Sequence, residues 1–264
     1  MFKYFFLFQH LSFIWHEVGL WVRLPRHPNI VSFDKVVVDE LEGRLVGFTT
    51  PFIPGGTVEE NKSRTFKLKW LKQLIGVVDY LNLELGIAHQ DVALHNLLVD
   101  EEADSILIFD FNHSARIGTE AYSEPRNDVK GVIFTIYELI TRDDDLPSAM
   151  LGERDVSKIE KSNWTKHPEV LLDHPVADFR KVLDDWCEKR RSGEQINMYT
   201  DAPNYIDWPP LPGPVLEEIE MGTPPVKRTM ARYNWTRIEL LKKGQRVLEW
   251  QRPPQRCQGQ ARSE

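Results

Sequence analysis

The chain has 264 residues, 41% of them hydrophobic and 28% charged, which suits a soluble globular protein of one substantial domain or two small lobes around a cleft. That balance excludes a collagen-like chain, a disulfide scaffold and a wholly disordered one. Lys and Arg total 33 against 40 Asp and Glu, a formal net charge of −7, so no basic footprint for general nucleic-acid binding is present.

The N-terminal run MFKYFFLFQHLSFIW is apolar enough to imitate a signal peptide. Gln9 and His10 interrupt it and no small-residue cleavage site follows, so it reads as a buried strand running into a helix. No stretch of eighteen apolar residues occurs, which leaves no spanning helix and no membrane partner. Residues 30–39 are rich in β-branched side chains, and with 44–53 across the turn-like ELEG they predict a hairpin. Pro54-Gly55-Gly56 then reads as a linker between two units. Phe66, Trp70, Leu74, Val77, Val78 and Leu81 recur at helical spacing, and Gly86 stands where that helix ends. Asn96–Val99 and Ile106–Phe109 form a short hairpin around the acidic turn DEEADS.

Residues 128–141 are apolar almost all round, with Asp128 as the expected N-cap, and predict a central helix. Amphipathic segments follow at 168–190 and 228–250. Between them, seven of the seventeen prolines fall in 201–225, an extended connector, and the QRPPQRCQGQARSE tail reads as disordered. Cys187 and Cys257 lie far apart without metal-ligand spacing and read as free thiols in a reducing compartment, cytoplasmic or nuclear. Trp164, Trp186, Trp208, Trp235 and Trp250 read as packing anchors, since no basic groove accompanies them.

The chemistry concentrates at His89-Gln90-Asp91-Val92-Ala93-Leu94-His95-Asn96, followed fourteen positions later by Asp110 in IFDFN. This His-x-Asp-x-x-x-x-Asn pattern, with a strand pair ending in Asp-Phe, resembles the catalytic and metal-binding loops of the protein kinase-like superfamily. The resemblance extends over about residues 1–190. LPRHPNIV is similar to the segment leading out of the family's C-helix, and Glu17 falls near that helix's glutamate. TPFIPGG is similar to the hinge, with Thr50 at the gatekeeper position, and DVKGVIFTIYELIT resembles the helix whose Asp, here Asp128, ties down the catalytic loop. GFTTPFIPGGT and HQDVA are also similar to stretches of fungal protein-kinase-like proteins.

The resemblance implies a role for each matched residue. Asp91 orients the acceptor hydroxyl and takes its proton, while Asn96 and Asp110 hold Mg²⁺ on the phosphates of ATP. Lys3 pairs with Glu17, backbone groups around Phe52 and Ile53 bind adenine, and Leu98 forms the floor beneath it. A surface lysine near a chain end is the other reading of Lys3.

The sequence also departs from that family. No Gly-x-Gly-x-x-Gly occurs, so the chain matches an N-terminally truncated, partly degenerate member, one whose natural start could lie upstream. Gln90 replaces the loop arginine, and Ala93 and His95 stand where phosphate-facing cations belong, which weakens electrostatic stabilisation of the transferred group. Eighteen positions from Asp110 to Asp128 leave little room for an activation segment, and Ser123-Glu124-Pro125 is at best a remnant of its end.

The expected architecture is an α+β, kinase-like two-lobe fold. Residues 1–53 form a truncated small lobe and hinge, 54–200 a helical large lobe, and 201–264 a connector, C-terminal helix and tail. The expected function is ATP- and Mg-dependent phosphoryl transfer to a protein hydroxyl, weakened by those departures. A pseudokinase serving as a binding module and a small-molecule kinase of aminoglycoside or choline type are the alternatives.

Overall fold

The structure, a computed structural model, describes residues 1–4, 11–38, 45–143, 156–193, 195–210, 215–222, 225–232, 237–242 and 244. Helix and strand are mixed, as an α+β chain requires. The first sheet is antiparallel with strand order β1-β3-β2, made by β1 (Phe2–Tyr4), β2 (Lys35–Val38) and β3 (Leu45–Thr49). Lys3 faces Phe48 across the β1–β3 pair. A Cβ on Gly47 would stand 2.0 Å from the Lys3 carbonyl oxygen, so only glycine lets these strands approach.

Two expectations for this region change. β1 is not buried: it is an edge strand, and period-two alternation turns Phe2 and Tyr4 outward while Lys3 is half-buried. The predicted strand over 30–39 shortens to β2. Ile30 instead makes a parallel bridge to Ile108, the Val31 amide donates to the Ile108 carbonyl at 3.1 Å, and Ile30, Val31 and Phe33 are core. The ELEG turn lies outside the described residues. α1 (Leu11–Trp21) follows β1 in the chain and carries buried Glu17, Leu20 and Trp21.

α2 (Leu68–Asp79) buries Leu68, Trp70, Leu71, Leu74, Val77 and Val78 along one face, the stripe the sequence predicts. It starts later than Phe66, because Phe66 bridges to Leu172 and the Leu68 amide is capped from a distance by Asp173 Oδ1 at 2.8 Å. The helix runs on through a wider π turn, Tyr80–Glu84, and stops at Gly86, whose φ is +69°. β4 (Ile87–Ala88), β5 (Leu97–Asp100), β6 (Ser105–Ile108) and β7 (Ala115–Arg116) form two small antiparallel pairs, β4-β7 and β5-β6.

α3 (Asp128–Thr141) has the predicted span, but Asn127, not Asp128, caps it: Asn127 Oδ1 accepts from the Val129 amide at 2.9 Å. α4 (Val156–Lys161) and α5 (Val176–Ser192) follow, the latter burying Phe179, Leu183, Trp186 and Cys187. Burial pushes the free Cys187 thiol up to about 11, which keeps it protonated and inert. Trp164, Trp186 and Trp208 are buried, as packing anchors should be.

The C-terminal expectation is corrected. β8 (Val215–Met221) and β9 (Val226–Arg232) pair as a hairpin, so the connector contains a strand and residues 228–232 are not helical. The short α6 (Arg237–Lys242) is the described part of the expected helix. Trp235, Trp250, Cys257 and the glutamine- and arginine-rich tail lie outside the described residues. Among the described residues no helix is long and apolar enough to cross a membrane.

Candidate functional site

The β5–β6 hairpin sets the site's geometry. Leu97 pairs with Ile108, and the Phe109 amide donates to the Asn96 carbonyl at 3.2 Å, so Asn96 and Asp110 emerge at the same end of the ladder. Asp110 sits in the left-handed region with φ +65°, a conformation that turns the chain sharply out of β6. On the other side, Asn96 Nδ2 donates to the Asp91 carbonyl at 2.9 Å and to Asp91 Oδ2 at 2.8 Å, closing the loop that holds the two residues five positions apart. His95 is half-exposed, 3.7 Å from Asp91 Oδ2 and 4.0 Å from Glu59 Oε2.

Lys3 joins this group from β1. Its Nζ donates to Glu17 Oε1 at 2.6 Å and to Asp110 Oδ1 at 2.7 Å, so residues 14 and 107 positions away in the chain share one ammonium. Lys3 is thus held by two carboxylates rather than loose at the surface. Burial pushes the Glu17 carboxyl up to about 7, opposed by Lys3 and reinforced by nearby Asp110. Burial also works against ionisation of Asp110, but the Lys3 ammonium outweighs it and holds that carboxyl below its usual value. For Lys3, burial pulls downward and the two carboxylates more than reverse it.

The loop carrying Asp91 is tied to α3 by Asp128, which is 2% exposed. Its Oδ2 accepts from the His89 amide at 2.8 Å and from Asn82 Nδ2 at 2.8 Å, and its Oδ1 accepts from the Gln90 amide at 2.7 Å. That inward engagement explains why the capping task passes to Asn127. His89 Nε2 stands 3.0 Å from the Phe109 carbonyl oxygen, and the His89 ring meets Phe111 edge-on at 5.0 Å. Phe111 in turn contacts Trp21 of α1 at 5.1 Å, and Trp21 meets Phe48 of β3 at 5.1 Å. A continuous stack of rings thus links the loop, the residue after Asp110, α1 and the sheet.

Gln90 has a role that motif reading misses, since spacing marks it only as a missing arginine. With φ +62° it directs its side chain away from the loop. Its Nε2 donates to the His113 carbonyl at 2.7 Å and the Ala121 carbonyl at 3.3 Å, and its Oε1 accepts from the Ser123 amide at 2.5 Å. One neutral side chain fastens both ends of the short segment between Asp110 and α3.

The expected adenine-side residues lie along the strand-to-helix crossing. The Thr50 amide donates to the Met1 carbonyl at 2.9 Å, Phe52 is 67% exposed, and Ile53 is half-buried against the core. Leu98 is buried in β5 and bridges Thr57. Pro54-Gly55-Gly56 is not a free linker: the Gly56 carbonyl accepts from the Val99 amide at 3.0 Å, and a Cβ on Gly55 would stand 2.1 Å from the Val99 carbonyl oxygen.

Asn96 and Asp110 are the expected ligands of Mg²⁺. Among the described residues no cluster of three or more His, Cys, Asp or Glu side chains could hold a metal. Asn96 and Asp110 supply two oxygen donors, the small number that suits an ion completing its shell with phosphate and water.

No family model matches the chain. It is 31% identical over 120 residues to CBL-interacting serine/threonine-protein kinase 16 of Arabidopsis thaliana, covering 43% of this chain and 24% of that protein. It is 32% identical over 110 residues to human hormonally up-regulated neu tumor-associated kinase, covering 38% of this chain and 14% of the relative. CBL-interacting protein kinase 5 of Oryza sativa subsp. japonica is 33% identical over 99 residues, 36% of this chain and 20% of that protein. The chain spans about a quarter or less of the length of these relatives. These distant, partial similarities suggest the protein-kinase-like superfamily.

Proposed function

We propose that the chain carries the nucleotide and magnesium site of a protein-kinase-like phosphotransferase. The observation that carries this reading is Lys3 Nζ, 2.6 Å from Glu17 and 2.7 Å from Asp110, beside a loop in which Asn96 holds Asp91. In this reading residues 1–53 are the small lobe and hinge, 54–200 the large lobe, and ATP lies between them. Thr50, Phe52, Ile53 and Leu98 border the adenine, and Lys3, oriented by Glu17, meets the phosphates. Asn96 and Asp110 would hold Mg²⁺, which neutralises phosphate charge when bound. Asp91, kept in place by the Asn96 amide, receives the proton of a protein hydroxyl.

The site lacks a fixed cation on the loop, since Ala93 is uncharged and His95 is half-exposed beside two carboxylates. Transfer is therefore slow, and a binding module that retains nucleotide without transfer is the second reading this observation favours. Radiolabelled transfer from Mg-ATP to a generic protein acceptor tests the choice. Wild-type transfer that disappears in Asp91→Asn with nucleotide affinity kept supports the phosphotransferase; undiminished transfer by Asp91→Asn would refute the base.

A further inference from the structure

A strap of chain, residues 199–209, crosses from the end of the π turn to α1, and the nucleotide reading gives it no task. The Tyr199 amide donates to the Ile117 carbonyl at 2.8 Å, the Asn204 amide to the Glu84 carbonyl at 2.9 Å, and the Ile206 amide to the Leu85 carbonyl at 3.1 Å. Ile206 and Trp208 are buried, so backbone bonds fix one end of the strap and an aromatic anchor the other. Pro209 and Pro210 follow and keep the chain extended where it meets α1.

Trp208 reaches two elements at once. On α1, the His16 ring meets it edge-on with centroids 4.8 Å apart, and a Cβ on Gly19 would stand 3.0 Å from Trp208 Cδ1, so glycine makes the seat. Trp15 Nε1 donates to the Pro209 carbonyl at 3.0 Å, a second tie from the same helix. On β7, the Arg116 guanidinium lies 4.8 Å from the centre of the Trp208 ring and pairs with Asp207. His16 Nε2 donates to the Ser114 carbonyl, which fastens α1 directly to the same stretch of chain.

These contacts bracket the two carboxylates on Lys3. Glu17 follows His16 on α1, and Asp110 stands shortly before Ser114 and Arg116 in one continuous stretch. We propose that Trp208 is a positioning residue for Lys3: by holding α1 against the chain that follows Asp110, it sets Glu17 and Asp110 at the spacing that one ammonium bridges. Its effect runs through α1 and β7. That this spacing serves the nucleotide rests on the phosphotransferase reading; the positioning of Lys3 does not.

Acylation of Lys3 by an amine-reactive ester, followed by peptide mapping with the other lysines as reference, reads that positioning without nucleotide. An ammonium held by two carboxylates reacts slowly, because it is seldom the free amine. Trp208→Ala should quicken modification of Lys3 about tenfold, the change in free amine when one carboxylate partner withdraws. Trp208→Phe, which keeps a ring on His16 and Arg116, should restore the slow rate. Gly19→Leu improves helix propensity yet drives the strap off α1, and should match Trp208→Ala. It retains every strap residue and so carries the test should Trp208→Ala unfold, which circular dichroism melts show. Slow modification of Lys3 in folded Trp208→Ala or Gly19→Leu, or no rescue by Trp208→Phe, overturns the proposal. Unfolding of both variants overturns it too, since the strap then holds the domain rather than Lys3. Calorimetry with Mg-ATP separates the two readings. Fast Lys3 modification in the variants with no nucleotide binding by the wild-type chain rejects the phosphotransferase reading and leaves the strap. Wild-type nucleotide binding with Lys3 slow in every variant rejects the strap alone.

Discussion

Replacing Asp128 is the sharpest perturbation the fold offers. Its carboxylate accepts three hydrogen bonds, from the His89 and Gln90 amides and from Asn82 Nδ2, all between 2.7 and 2.8 Å and out of contact with water. Asp128→Ala leaves two backbone donors and one side-chain donor buried and unmatched, at about 1–3 kcal/mol each. Partial relaxation brings the expected loss to about 4–6 kcal/mol, comparable with the whole stability of many domains. Asp128→Asn keeps the shape and one acceptor oxygen but turns an NH₂ group toward a donor, for about 2–4 kcal/mol. Equilibrium urea unfolding measures both, and hydrogen exchange should show the His89 and Gln90 amides losing protection first. A loss below about 1 kcal/mol for Asp128→Asn, or unchanged exchange at those amides, would refute the claim that this carboxylate anchors the loop.

Other consequences follow from single contacts. Gln90→Ala removes the acceptor of the Ser123 amide, so exchange at Ser123 should quicken while α3 stays protected; an unchanged Ser123 rate would contradict the strut. His27 is held below its ordinary value by burial, and its Nδ1 accepts from the Asn29 amide at 3.1 Å, which requires the neutral ring. The unfolded chain takes up that proton more readily, so this stability is present above a pH of about 6.5 and is lost as pH falls toward the lower folded value. His16 and His113 are shifted in the same direction. Glu17, raised to about 7 in the folded chain, works in the opposite sense over the same range, so the His27 contribution is read as a difference. From pH 7.5 to 5.5 the melt of the wild-type chain should lose ground relative to His27→Gln, and identical pH dependences would remove His27 from the account. Gly86→Ala puts a Cβ 2.4 Å from the Tyr199 carbonyl oxygen at φ +69°, and should cost about 2–3 kcal/mol by urea unfolding.

Much of the candidate site was legible because its expected residues lie close together in sequence. Asp91, Asn96 and Asp110 fall within twenty positions, bounded by a helix and a hairpin whose periodicities are plain, and the structure gathers them by that hairpin's register. Lys3 could not be decided from sequence, because its meaning depends on Glu17 and Asp110, the latter 107 positions away. Gln90 was seen only as a missing charge, since hydrogen bonds to the backbone of His113, Ala121 and Ser123 leave no pattern of residue types. For Asp128 the local pattern pointed to a cap and the family resemblance to a tie on the catalytic loop; burial beside the His89 and Gln90 amides overrode the local preference. The segment 30–33 has strand composition, yet its side chains fill the core instead of extending β2. The hairpin of β8 and β9 was missed because Pro214, Pro224 and Pro225 mark a connector, and the adjacent charges Glu217-Glu218 and Lys227-Arg228 break the period-two alternation that signals a strand.

The central claim is that Lys3, Asn96 and Asp110 form a magnesium-dependent nucleotide site, and calorimetric titration with ATP, with and without Mg²⁺, tests it most directly. The account predicts saturable binding that requires Mg²⁺ and disappears in Asp110→Asn while the melt shows the variant folded. Equal affinity with and without the metal, undiminished binding by Asp110→Asn, or no binding by the folded wild-type chain would contradict it.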